Sequence, residues 1–402
     1  MKENAIKLLD KHPNYDKDIQ KYVKRDPHHD LRNILVIAAS SKDQEGLYLI
    51  IDHALGGGAN LYAKEMIENA TKEQKKILHL TFDFYSNSYN FYFKYKTYEF
   101  DFSISDIEGV EIFLRELSFK EIFVNSLVSF KETARILALM KELTEISNAE
   151  LVIPIHDYYP VCPNYTLLNE KSEFCEVPSL ERCRTCMQYN DLEWKTFGNK
   201  NADVSVWRND WKALLETASR IICFSNSSKE ILLRAYADLN KDKIAVVPHT
   251  VAPLPSISVE RREEKQEITI GVLGAINLAK GAGILKDLVK TIEERNLKIN
   301  IVLIGEISEY IKSEHFHVTG RYERDALPQL VKEHEIDIFL LPSICPETFS
   351  YTTQEIMMMD MPLMVFNLGA PAERILNYNK GYIIDEVSSE AILNSLKKIT
   401  IY

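Results

Sequence analysis

No run of eighteen apolar residues occurs anywhere in the 402-residue chain, so no membrane-spanning helix is expected. The opening stretch "MKENAIKLLDKHPNYDKD" lacks the long apolar core of a secretory leader, so a cytoplasmic location is expected. Cysteine is scarce, six residues in all. That excludes a disulfide scaffold and fits a compartment where structural disulfides are rare. A basic excess is missing too. Forty-eight Lys and Arg face 59 Asp and Glu, for a net charge of −11. Nucleic-acid binding, which needs a basic face, is therefore not expected, although a local cation for a small anion is allowed.

The length favours two domains over one core. Residues 1–32 are polar with a short amphipathic piece at Ile6–Leu9, and read as a helical extension. The apolar run "NILVIAAS" (Asn33–Ser40) reads as a buried strand, and "LYLIIDH" (Leu47–His53) as another. The second runs into glycines Gly56–Gly58 and a helical pattern, the start of an α/β unit. The aromatic stretch Lys76–Phe102 predicts two or three antiparallel strands. Further strands are expected at Ile122–Leu127, Glu150–Asp157, Arg220–Ser225 and Lys243–His249, with a helix at Lys131–Ile146. Composition shifts to proline, serine and charge over Thr250–Glu267, the best linker. The α/β rhythm then restarts. The expected layout is a first domain over 33–255, with a cysteine-containing insertion at 158–200, and a second domain over 266–402. Ligands of such folds bind at the carboxyl ends of parallel strands, in a cleft.

One segment carries chemistry: "PSICPETFSYTTQEIMMMDMPLMVF" (Pro342–Phe366). A strand ends at Pro342 and a helix is expected near Ser350. First-turn amides have no partners inside a helix and, with its dipole, favour an anion. Ser350 and Thr352 add hydroxyls. Glu355 lies about 5.4 Å, one helical turn, beyond Tyr351. Glu347 precedes the helix. A phosphate seat with a carboxylate on each side suits a nucleotide sugar. In isolation the same residues would be an N-cap serine and two solvated glutamates.

"PETFSYTTQEIMMMDMPLMVFNLGAPAERI" resembles the donor-binding segment of retaining GT-B glycosyltransferases, especially the family-four (group 1) enzymes of bacterial surface-polysaccharide synthesis. The resemblance extends from about Ile34 to Asp385 and includes the glycine turn "LGAPAE" ending at Glu373. It implies a GT-B fold, two Rossmann-like domains whose parallel sheets face a central cleft. It implies that Glu347 meets the transferred sugar, that Phe349, Ser350, Tyr351 and Thr352 hold the distal phosphate, and that Glu355 holds the ribose. Lys280, in "GAINLAKG", would neutralise the diphosphate. The arginine that usually stands upstream is absent, with Ala275 or Ile276 in its place. Arg321 is either its substitute or a surface ion pair. Asp360 replaces a customary glycine, in a position where aspartate tolerates a left-handed cap.

On the other wall, Gly56, Gly57 and Gly58 would face the donor phosphates, or else form an ordinary tight turn. His156 ends a strand where the resemblance implies contact with the sugar, and Asp157 either orients it or binds an acceptor hydroxyl. Cys162, Cys175, Cys183 and Cys186 are read as reduced thiols or as a structural Zn²⁺ site, with metal-knuckle spacing only at the last pair. No metal is implied for the chemistry. The implied reaction transfers a sugar from a nucleoside-diphosphate sugar to a glycan or lipid-linked hydroxyl. A lipid-linked acceptor would bring the protein to the inner face of the membrane as a peripheral partner. A sugar-nucleotide epimerase of the same fold, and a non-catalytic scaffold, are the alternatives.

Overall fold

The computed structural model describes residues 10–43, 45–189, 201–257 and 267–399. The first domain is organised by β1 (Leu47–His53), buried along almost its whole length and therefore central. After it come α3 (Gly58–Lys72), β2 (Ile77–Asp83), β3 (Ser88–Tyr95), β4 (Tyr98–Ile104), α4 (Ile107–Arg115), β5 (Phe119–Val124), α5 (Thr133–Ser147) and β6 (Glu150–Pro154). Then follow α6 (Leu180–Tyr189), α7 (Val204–Thr217), β7 (Arg220–Cys223), α8 (Asn226–Ala235) and β8 (Ile244–Val246). The sheet order is β4-β3-β2-β1-β5-β6-β7-β8. Only the β2-β3-β4 edge is antiparallel. There the aromatics alternate inward, as Phe91 stacks on Phe102 at 5.1 Å and meets Phe113 edge-on at 5.2 Å.

The second domain restarts at β9 (Ile268–Ile276), followed by α9 (Ala282–Glu294), β10 (Ile299–Ile307), β11 (Phe316–Val318), α10 (Leu327–Glu333) and β12 (Ile338–Leu341). It continues with α11 (Tyr351–Met358), β13 (Leu363–Phe366), α12 (Gly369–Ile375), β14 (Gly381–Ile384) and α13 (Ser389–Lys398). All six strands are parallel, in the order β11-β10-β9-β12-β13-β14. Helices cover both faces, which is why β12 and β13 are buried at every position.

One expected strand is a helix. Asn33–Ser40 lies inside α2 (His29–Ser41), which follows α1 (Tyr15–Arg25). Ile37 and Ser41 are buried, and Ile34 and Ala38 pack beside them. That spacing of three and four residues is one helical stripe, and the short apolar run concealed it. The expected boundary at residue 33 therefore falls within a helix. The linker also divides differently. Leu254 and Ile257 are buried in the second core, and the Ile257 amide donates to Met359 O at 2.9 Å. Residues 258–266 of the expected linker, 190–200 of the insertion, and the Ile6–Leu9 piece lie outside the described residues.

Candidate active site

The two sheets present their carboxyl ends to one cleft, a cavity of about 420 Å³. Its lining includes Gly58, His156 and Asp157 from the first domain, and Lys280, Glu347 and Ser350–Thr352 from the second. The size is that of a small-ligand site.

On the second-domain wall, Ser350 caps α11, its hydroxyl accepting from the Thr353 amide at 3.4 Å. Its backbone sits at φ 71, ψ 95, a costly conformation for a residue with a side chain. Thr352 Oγ1 lies 3.1 Å from Ser350 Oγ, so two hydroxyls and the free first-turn amides share one place. Lys280 reaches the cleft because the turn before α9 closes on the β12 loop. Gly281 adopts φ 86, and a Cβ there would stand 2.0 Å from Pro342 O. The glycine is needed for that approach. Glu347 is pinned through its backbone, its carbonyl accepting from the Ala370 amide at 2.8 Å. Its carboxylate accepts from the Ser343 hydroxyl, a partner not anticipated from sequence. Asp360 closes α11 in the left-handed conformation expected for it, φ 59.

Glu355 is nearly buried and paired with Arg324 at 2.7 Å. Burial pushes its carboxyl up, while the Arg324 guanidinium pulls it back down. Arg324 also donates to Ala252 O at 2.5 Å, which ties the carboxylate to the segment between the domains. Arg321 lies elsewhere. Its side chain is 87% exposed, bonded to Glu306 at 3.0 Å, and does not line the cleft. This is the surface ion pair of the two alternatives.

Phe349 and Tyr351 do not face a phosphate with their rings. Phe349 is 3% exposed and packs with Ile50, Phe123 and Phe224 of the first domain, where Tyr351 joins it. Arg374 stacks on Phe349 at 4.2 Å. These aromatics key the loop before α11 into the opposite domain and leave its backbone and hydroxyls toward the cleft. Gly58, at the start of α3, makes room for this. A Cβ there would meet the Tyr351 ring at 2.8 Å. Gly56 and Gly57, with φ 82 and 89, have open space around them and form the turn.

His156 sits between aromatic rings, stacked on Phe224 at 4.6 Å with Tyr62 edge-on at 5.1 Å. Burial, with His249 and His53 nearby, holds it well below the usual histidine range, so it is neutral. Its Nε2 lies 2.8 Å from Asn125 Oδ1, and its carbonyl accepts from Thr348 Oγ1 at 2.8 Å. That second bond crosses between the domains. Asp157 accepts from the Tyr159 amide at 2.8 Å and Ser126 Oγ at 2.9 Å, with burial pushing its carboxyl up.

Three residues here escaped sequence reasoning. Asp52 is fully buried under Asn125, Asn60 and the His53 amide, and burial raises its carboxyl to about 6. Asn125 bridges it to His156. His249 stacks on Phe224 at 3.8 Å, and burial lowers it to about 4. Their only sequence signal was position, just at or past the ends of strands.

Glu373 joins the domains on the outer side. Its carboxylate accepts from Asn226 N (2.9 Å), Asn226 Nδ2 (2.9 Å) and Ser227 N (2.7 Å), capping α8 across the interface. The four insertion cysteines line a separate cavity of about 110 Å³ with Arg182 and Arg208. Arg208 Nη2 lies 3.6 Å from Cys183 Sγ. The thiols are the right donor type for zinc. Among the described residues, however, no three His, Cys, Asp or Glu side chains are grouped so as to hold a metal.

Comparison with known proteins agrees with this architecture. Residues 255–400 match the family model "Glycosyl transferases group 1". The second domain thus matches that family model, and the two-domain fold of the chain is the GT-B fold of similar solved structures. Among solved structures it is similar to sucrose-phosphate synthase from Thermosynechococcus elongatus, at 14% identity and TM-score 0.54, over 88% of this chain and 89% of that one. It is also similar to Anabaena HepE, solved with UDP and glucose, at 14% identity and TM-score 0.51, over 87% and 89%. Among curated proteins it resembles the GPI3 subunit of the yeast (Saccharomyces cerevisiae, strain YJM789) phosphatidylinositol N-acetylglucosaminyltransferase. The two are 24% identical over 127 residues, 30% of this chain and 28% of that relative's length.

Proposed function

We propose that this protein is a retaining glycosyltransferase moving a sugar from a nucleoside-diphosphate sugar to a hydroxyl of a glycan or lipid-linked acceptor. The observation that carries this is the convergence of the α11 start, Ser350, Thr352 and Lys280 on one cleft that also holds Glu347 and His156. A helix start with hydroxyls and one lysine is an anion seat. The residues beside it suit the polyol next to that anion. HepE, of the same fold, binds UDP and glucose, which supports a uridine donor.

In this reading the diphosphate lies on the Ser350–Thr352 backbone with Lys280 against it. Glu347 accepts from hydroxyls of the transferred sugar. Glu355, released in part from Arg324, accepts from the ribose. As the glycosidic bond to phosphate breaks, charge builds on the leaving oxygen, and Lys280 and the amides stabilise it. The acceptor attacks from the same face and gives its proton to that oxygen, which retains the anomeric configuration. Asp157, in the same cleft, receives the acceptor hydroxyl in this reading.

A thermal-shift screen against UDP-, GDP- and dTDP-sugars tests the donor seat. One nucleotide class should raise Tm, and Lys280→Ala should abolish the rise. No response to any of them sinks the reading. The epimerase alternative keeps one observation, since Asp157 and Glu347 bring carboxylates from both domains. Donor incubated without acceptor separates the two, because an isomerised donor would favour the epimerase.

A further inference from the structure

The ring of His156 is set by a chain of residues running back from the cleft. Asn125 is 2% exposed and its side-chain amide has three neighbours. Nδ2 donates to Asp52 Oδ1 at 2.9 Å and to Ala59 O at 2.9 Å. Both of those are acceptors, so the nitrogen of the amide must face them. The reversed amide would set its oxygen against a carboxylate and a carbonyl. Oδ1 is therefore the atom that faces His156 Nε2 at 2.8 Å. An amide oxygen only accepts, so the proton of the neutral imidazole must be on Nε2. Nδ1 is left with a lone pair and no hydrogen-bond partner among the described residues.

We infer that Asn125, oriented by Asp52, is a positioning residue that holds His156 as the Nε2–H tautomer and so makes Nδ1 a hydrogen-bond acceptor for a hydroxyl of the bound sugar. The role at the sugar rests on the transferase reading; the tautomer rests on the hydrogen-bond geometry and on the burial that keeps the ring neutral. The arrangement is held from both sides. Thr348 fixes the His156 backbone from the second domain, whereas Asn125 fixes the ring from the first. Thr348 adjoins Glu347, so the two groups assigned to the sugar are registered to each other by one bond. Asp52 is held by Asn60 and the His53 amide as well. Being short of protons above about pH 6, it can only accept, and this locks the amide. The titratable groups facing the His156 ring are His249 and His53, with Asp52 reached through Asn125 and Tyr62 at its edge.

The test is long-range ¹H–¹⁵N correlation on histidine-labelled protein at pH 7, with the His156 signals assigned by their loss in His156→Asn. A pyrrole-type Nε2 and a pyridine-type Nδ1 are expected in the wild type. Asn125→Leu removes the acceptor, and should shift the population toward Nδ1–H. It should lower kcat about tenfold with donor KM little changed. Asn125→Thr, whose hydroxyl can accept from Nε2, should recover part of both. A wild-type imidazolium or Nδ1–H ring overturns the inference, as does an unchanged tautomer in Asn125→Leu. If that variant does not fold, the wild-type spectrum decides alone. Should the protein prove not to transfer sugars, the tautomer assignment is still tested by the same spectra.

Discussion

The two walls of the cleft are built by different physics. The second-domain wall is local. Its cleft-lining groups come from one loop-helix junction, Glu347 to Thr352, and from the turn before α9. The first-domain wall is distributed. Asp52, Asn125, His156 and His249 come from the ends of four strands and are joined by hydrogen bonds and ring stacking. A local site tolerates exposure, since its amides and hydroxyls are pre-aimed by the helix. A distributed site depends on burial and on hydrogen bonds among its members to hold residues from separate strands in place. Under the proposed reading, the contrast is between a wall that stabilises charge and a wall that holds a ring still.

The largest effect should follow from removing the charge of the local wall. Lys280→Ala should lower kcat by about 10²–10³ at saturating donor, as for loss of one transition-state electrostatic contact. A loss confined to KM would mean that Lys280 only binds.

The buried wall should show itself in stability. Asp52 titrates near 6 when folded, against 3.8 for the ordinary group. Between those values the folded state holds more protons than the unfolded one, so this group's contribution falls as pH rises from about 4 to 6. The loss amounts to about 3 kcal/mol. His249, neutral down to about 4, acts in the opposite direction over the same window. The wild-type profile mixes the two, and the difference between wild type and Asp52→Asn isolates the first. Urea unfolding at pH 4, 5, 6 and 7 should give a gap that changes steadily in favour of the variant. A constant gap would show that Asp52 is not perturbed.

A smaller pair of effects separates the two glutamates of the local wall. Glu347→Gln should lower kcat about tenfold and relax the choice of sugar. Glu355→Gln should raise donor KM by a similar factor, because in the proposed reading this carboxylate, paired with Arg324, accepts from the ribose. Equal effects on both parameters would collapse the distinction.

The smallest effect tests whether the walls are held together from outside. Glu373→Gln keeps one good acceptor for α8 but removes the charge, and should cost about 1 kcal/mol. Activity should fall with it if the cap sets the domain angle. Unchanged activity with reduced stability would confine Glu373 to capping.

Much of the local wall was legible as sequence. The α11 start, its serine cap and the glycine-closed turn carrying Lys280 are short-range features, and residues within one turn of each other declare their geometry by spacing. The strand at Leu47–His53 was equally readable, since a run buried on both faces is continuous in apolar residues. The helix at His29–Ser41 was not. Its stripe lies within a six-residue apolar run, Ile34 to Ala39, which either element can bury. Arg321 was indistinguishable from a ligand cation by type, and only its distance to Glu306 and its exposure separate the two uses.

By itself the amino-acid sequence determined two α/β halves, the position of the proposed anion seat and which hydroxyls, amides and lysine could form it. Each depends on periodicity or on neighbours a few residues apart. The tertiary structure alone decided that Phe349 and Tyr351 lock into the opposite domain, that Arg324 and not Arg321 meets Glu355, and that Asp52 reaches His156 through Asn125. Those contacts join residues about 30 to 300 positions apart. Bringing such residues together requires the packing of whole sheets, and no local spacing records it.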